Sequence, residues 1–209
     1  MKPTEYSWNA IAKTLHWLIV LMIMVEVPAG FLMTYLYGPG LKYAEVTPTA
    51  HLMGQIHHTN GFLILLVVCL RLGWRYAHPS APLPEDLPIL QRRAARATQG
   101  MLYALLLLLP LSGWMALSAL ADSAAFGKTR IWFFTSSDLI PRILPPRAPN
   151  APYGYAFYAQ FHRWFIYSGA ALLTLHMLAA LWHHFVRRDT ILRSMWPLAI
   201  VPTPTTKES

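Results

Sequence analysis

The sequence predicts an all-α membrane protein, a bundle of four transmembrane helices. Three observations predict it. Of the 209 residues, 55% are hydrophobic and only 12% charged, where a typical soluble domain carries about 25% charged residues. Four apolar stretches are each long enough to cross a hydrocarbon layer of about 30 Å. Histidines recur inside these stretches at helical spacing. The mean hydropathy is positive, +0.36, and the formal net charge is +8. The basic residues punctuate the apolar runs instead of forming one patch, which argues against nucleic acid as a partner. Cys69 is the only cysteine, so an internal disulfide framework, a cysteine-ligated iron–sulfur cluster and C-x-x-C-H attachment of haem are excluded.

The first span runs from about Ile11 to Tyr37 and contains Pro28 and Gly30, which bend a helix. Apolar residues continue past Phe31 with no obvious cleavage site, so this stretch resembles a retained span more than a signal peptide. The second span runs from about Leu52 to Tyr76 and the third from about Thr98 to Leu120, with Pro110 inside; the fourth covers roughly Tyr155 to Val186. Between the second and third, Pro79, Pro82, Pro84 and Pro88 prevent a continuous helix. Residues 121–154 read as a long polar-aromatic loop ending in a proline-rich run. Residues 1–195 form one domain without internal repeats, and 196–209 a short tail.

Lys2, Lys13, Arg71, Arg75, Arg92, Arg93, Arg96, Arg187, Arg188, Arg193 and Lys207 fall on the side shared by both termini. The other side holds Lys42, Lys128, Arg130, Arg142, Arg147 and Arg163. Loops rich in Lys and Arg stay cytoplasmic, which places both termini in the cytoplasm. The outer side is then positive as well, able to steer an anion or to dock an acidic partner. The run Ile131-Trp132-Phe133-Phe134 suits the membrane interface, where aromatic residues are favoured.

His162, Gly169, His176 and His183 follow at intervals of seven in the fourth span. Seven residues are close to two helical turns, so all four share one stripe. Imidazoles are costly in hydrocarbon and are functional candidates there. The predicted topology makes two pairs level: His16 with His176, and His57 or His58 with His162. Two imidazoles from facing helices, one on each side of a ring, suit six-coordinate haem b. Gly61 lies one turn after His57, Gly30 fourteen residues after His16, and Gly169 midway between His162 and His176. These glycines read as clearance for a flat macrocycle, a reading weakened because small residues also mark plain helix contacts. His57 has the Gly61 spacing, and His58 remains the alternative. His51 and His78 sit at span ends as interfacial histidines. Glu26, the only acid well inside a span, either relays protons or pairs with a polar neighbour.

Several motifs together resemble the bacterial cytochrome b561 family of four-helix, dihaem membrane cytochromes. They are Lys13-Thr-Leu-His16-Trp17, Ile56-His57-His58-Thr59-Asn60-Gly61, Arg71-Leu72-Gly73-Trp74-Arg75 and Leu109-Pro110-Leu111-Ser112-Gly113. Phe161-His162-Arg163, Leu175-His176, Leu181-Trp182-His183-His184-Phe185 and Arg188-Asp189-Thr190-Ile191-Leu192 complete the set, so the resemblance covers all four spans. It implies two haems b in the bacterial inner membrane, with His16, His57, His162 and His176 as axial ligands. The superoxide oxidase type is the most similar. That type implies electron flow from superoxide to ubiquinone, with His183, Arg71 and Arg75 near a quinone or the haem propionates. This chain departs from the type at Arg96 and Gln99, where histidines are expected, and in the longer loop over 121–154. Both departures bear on the identity of the substrate.

Three functions follow as expectations. The first is a dihaem oxidoreductase between an outer one-electron donor and the quinone pool. The second is an electron-transfer anchor subunit for a partner dehydrogenase or hydrogenase. The third, a histidine-lined metal or proton transporter, leaves the level pairing of histidines unexplained.

Overall fold

The computed structural model describes residues 8–37, 47–78, 87–120, 141–148 and 151–196. Four long helices follow in chain order: α1 (Ala10–Tyr37), α2 (Pro48–Ala77), α3 (Ile89–Ser118) and α4 (Tyr155–Trp182). A π-helical turn, His183–Arg187, continues α4, and a short α5 (Ile191–Ser194) follows. All four long helices, α4 taken together with its π-turn, are long and apolar enough to cross a membrane. Lys2, Lys42, Lys128, Arg130, Lys207, the prolines 79, 82 and 84, the aromatic run 131–134 and the tail 197–209 lie outside the described residues.

Hydropathy locates the spans, but capping residues set the helix ends. α2 begins at Pro48, four residues before the apolar stretch, because the Thr47 side chain accepts from the Ala50 N–H at 3.3 Å and proline is pre-organised for the first helical position. α3 begins at Ile89, directly after Pro88 and nine residues ahead of the predicted span. Its first turns, Leu90 to Ala97, are good helix formers whose charges keep them out of the apolar count. The Arg92 guanidinium folds back onto the Leu87 carbonyl at 2.9 Å. At the other end α3 stops at Ser118, where Arg142 donates to the carbonyls of Ser118 and Leu120. In α1, Asn9 accepts from the Ala12 N–H at 2.8 Å.

Helices α1 and α2 pack along their length, α3 and α4 do the same, and α2 joins the two pairs through α3. One end of the bundle carries the start of α1 and the end of α2: Arg71 donates to the Ala12 carbonyl at 3.0 Å and Trp74 to Asn9 at 3.1 Å. The same end receives the chain after α4, since the Trp17 indole donates to the Met195 carbonyl at 2.8 Å. This is the near end below; the far end carries Tyr37, Pro48, Ser118 and Tyr155.

The apolar core lies between α1, α2 and α3, with Ile19, Ile64, Val67 and Val68 buried against Leu15, Met22, Tyr103 and Leu106. Large apolar side chains elsewhere point outward, among them Leu21, Met24, Phe31, Leu66 and Leu178. A continuous apolar exterior of this kind suits lipid, not water. Since lipid tails are as apolar as leucine, helix association in a membrane depends on close packing. Val68→Ala, at a fully buried position, is therefore expected to cost about 1–2 kcal/mol through the cavity it leaves. Leu66→Ala, at a position 55% exposed, is expected to leave thermal unfolding in detergent unchanged.

Candidate functional site

Four histidines form two pairs, each joining α4 to the α1–α2 half of the bundle. The ring centres of His16 and His176 lie 6.3 Å apart near one end, and those of His57 and His162 lie 6.1 Å apart near the other. The ring planes meet at 67° and 85°, so neither pair is stacked. His58 packs edge-on to His57 at 5.9 Å, and among the described residues it is His57 whose ring pairs with His162.

At the far end, hydrogen bonds fix both rings. The Nδ1 of His57 donates to the Glu26 carboxylate at 3.0 Å. The Nδ1 of His162 donates to the Leu109 carbonyl at 2.9 Å, with the Ser112 hydroxyl 3.0 Å away. Pro110 follows Leu109 and interrupts the hydrogen-bond ladder of α3 at this level. With both Nδ1 atoms engaged, the Nε2 lone pairs of the two rings are left for a shared ligand.

The separations fit a metal held between two imidazoles. Two metal–nitrogen bonds of about 2 Å, with about 1 Å from each nitrogen to its ring centre, give about 6 Å. Among the described residues no group of three or more His, Cys, Asp or Glu side chains could hold a metal ion. A bare structural metal takes about four protein ligands. A pair of imidazoles therefore fits a metal that brings its own equatorial ligands, as iron in a porphyrin does.

The glycines have other tasks than the sequence suggests. Gly30 receives the His57 ring: a Cβ there would come within 2.8 Å of Cε1. It was expected to clear a macrocycle on the His16 stripe, but fourteen residues of spacing fix only the helix face, not the neighbour. Gly113 accommodates the His162 ring in the same way, with a Cβ reaching 3.3 Å from Cε1. A Cβ on Gly61 would come within 3.1 Å of the Glu26 carboxylate. Gly169 lies against α3, where a Cβ would come 3.7 Å from Leu109.

At the near end Arg71 donates to the Tyr103 hydroxyl at 2.9 Å, and Arg75 to Gln99 at 3.1 Å. Arg71 lies within electrostatic reach of both His16 and His176. His183 has other partners. Its Nδ1 donates to Asp189, which also meets the Arg187 guanidinium at 3.4 Å. The predicted α4 ran unbroken to Val186. Instead the chain widens into the π-turn at His183 and reverses at Arg188, whose φ is 55°. That reversal brings Asp189 back to His183. π-turns are frequent at functional sites. His78 stacks on Trp74 at 3.8 Å and His51 meets Tyr37, as befits histidines at span ends.

Asp189, Asn60, Ser112 and Tyr103 escape residue-by-residue reading as supporting groups, although all but Tyr103 lie inside the quoted motifs. Glu26 was marked by its isolation in an apolar span; only the packing of α1 on α2 supplies its partners.

An all-α bundle that sets paired imidazoles at two levels of one membrane helix belongs to the class of membrane-spanning b-type cytochromes. The profile of the prokaryotic cytochrome b561 family matches residues 7–198, and the chain belongs to that family. It is 28% identical over 195 residues to cytochrome b561 homolog 2 of Escherichia coli strain K12, covering 92% of each chain. It is 29% identical to cytochrome b561 homolog 1 of the same organism over 194 residues, 90% of this chain and 98% of the relative. A protein of Yersinia pestis named as a probable superoxide oxidase is 25% identical over 197 residues, 91% of this chain and 96% of the relative. The protein is thus a multi-pass membrane protein of an electron-transfer family whose members bind haem b.

Gly30→Ala is expected to force His57 out of place, at a cost of about 1–3 kcal/mol for overpacking, and to lower the haem b bound per chain. Gly73→Ala, where a Cβ meets nothing within 4 Å, is expected to leave haem content unchanged when both are assayed by the alkaline pyridine spectrum.

Proposed function

We propose that the chain holds two haems b, one between His16 and His176 and one between His57 and His162. It moves electrons across the bacterial inner membrane between an outer one-electron donor and the quinone pool. The observation that carries this reading is the pair of level histidine couples on α4. His162 and His176 are fourteen residues apart, which is about 21 Å along a helix and most of a hydrocarbon core of about 30 Å. Held by two imidazoles, haem b supplies one-electron chemistry with no open coordination position, which favours outer-sphere transfer over oxygen binding.

The chain's own residues do the rest. Helices α1, α2 and α4 hold the four rings in place, and hydrogen bonds at Nδ1 keep the His57 and His162 Nε2 atoms available. The near end, with Lys13, Arg71, Arg75, Arg92, Arg93, Arg96, Arg187, Arg188 and Arg193, faces the cytoplasm by charge. At the outer end, Arg163 is exposed, and with Arg142 and Arg147 it favours the approach of an anion such as superoxide. On the cytoplasmic side Arg71 supplies positive charge to the near-end histidines, and Arg75, bonded to Gln99, adds to the positive charge of that end. In this reading His183, oriented by Asp189, passes a proton to a quinone oxygen. The overall reaction balances when two superoxide anions each lose one electron to become dioxygen. One ubiquinone takes those two electrons and two protons to become the quinol.

His57→Ala and His162→Ala are each expected to remove the outer haem alone, and His16→Ala and His176→Ala the cytoplasmic one, read from the reduced-minus-oxidised spectrum. Purified wild-type protein is expected to reduce ubiquinone with superoxide without a further subunit. Retention of both haems in the four single variants would sink the ligand assignment. Stable co-purification with a dehydrogenase or hydrogenase, without activity alone, would favour an anchor subunit instead.

A further inference from the structure

The two histidine pairs have different charged neighbours among the described residues. Glu26 is the only acid within the four long helices, and it lies at the far-end pair. Its Oε1 accepts from His57 Nδ1 at 3.0 Å and its Oε2 from the Asn60 amide at 2.9 Å. The same amide nitrogen donates to the Met22 carbonyl at 2.8 Å. Both carboxylate oxygens are therefore engaged, and Gly61 provides the room they occupy. The Glu26 and His57 side chains are each only 17% exposed. Glu26 acts electrostatically on His162 as well as on His57.

Among the described residues, no acid acts on the near-end pair as Glu26 does on the far-end one. The Arg71 guanidinium acts on both His16 and His176. Arg71 is held by the Ala12 carbonyl, one turn before His16, and by the Tyr103 hydroxyl. Among the described residues, Glu26 thus sets a negative charge against the far-end pair and Arg71 a positive one against the near-end pair.

We propose that Glu26 and Arg71 are positioning residues that order the two sites in potential, the far-end site low and the near-end site high. Electrons then run downhill from the far end to the near end. This rests on the dihaem reading above. A haem held between either pair would supply one-electron chemistry, and its reduction would add one negative charge to the site. A carboxylate on the ligand's Nδ1 opposes that charge and makes the imidazole a stronger donor to the oxidised metal. A guanidinium beside the other pair favours the added charge, and so favours reduction there. Little water is present at this depth to screen either effect. An electron surrendered by a one-electron donor at the far end moves from the field that opposes it to the field that welcomes it.

The test is an equilibrium redox titration of the detergent-purified protein with both haems bound. Wild type should show two one-electron waves, with His162→Ala losing the lower one and His176→Ala the upper one. Glu26→Gln keeps an acceptor oxygen for His57 and removes the charge. It should raise the lower wave by at least a tenfold change in the reduction equilibrium, about 59 mV for one electron, and leave the upper wave in place. Arg71→Gln should lower the upper wave alone. If Glu26→Gln loses the far-end haem, the Arg71→Gln wave carries the test by itself. Two waves that stay put in these variants, or a higher wave lost in His162→Ala, overturn the charge ordering while leaving the dihaem reading intact. A protein that binds fewer than two haems overturns the dihaem reading instead.

Discussion

An imidazole inside a bilayer must have something to bind on both of its nitrogens, and the rest of this structure depends on that requirement. Hydrocarbon offers no hydrogen bonds, so each unsatisfied polar atom costs free energy. At the far end the protein satisfies one nitrogen of each ring itself, through Glu26 for His57 and the Leu109 carbonyl for His162. The other nitrogen of each ring keeps its lone pair for a ligand. The bundle is built to keep those partners level. Helices α1 and α2 form one packed half, α3 and α4 the other, and the ring pairs span the two halves.

The support around the rings is made from small residues and helix irregularities. Gly30 and Gly113 leave room for imidazoles, and Pro110 lies next to the carbonyl that holds His162. The π-turn after Trp182 serves the same end. It changes the helical register so that Asp189, six residues on, comes to orient His183. At His183 a backbone irregularity places a polar partner where regular helix geometry would not.

Much of this was legible in the sequence because it rests on periodicity along one helix. The four spans follow from hydropathy, and the His162–His176 spacing fixed both the stripe and the two levels. The pairing of His16 with His176 needed only the alternation of chain direction. What was not legible depends on how neighbouring helices are rotated about their axes. Gly30 shares a stripe with His16 yet meets His57, and Glu26 gave no sign of which histidine it would hold. The helix starts at Pro48 and Ile89 were hidden because their caps lie in polar segments that a hydropathy reading discards. Asp189 was hidden because its contact requires a left-handed residue at Arg188, which no helical spacing anticipates.

The central claim is that each level couple of imidazoles holds one haem b. It is tested most directly by the stoichiometry of haem b to protein in the purified chain, with haem measured as its pyridine complex and protein by amino-acid analysis. The account predicts two haems b per chain. A ratio of one, or of none, would contradict it.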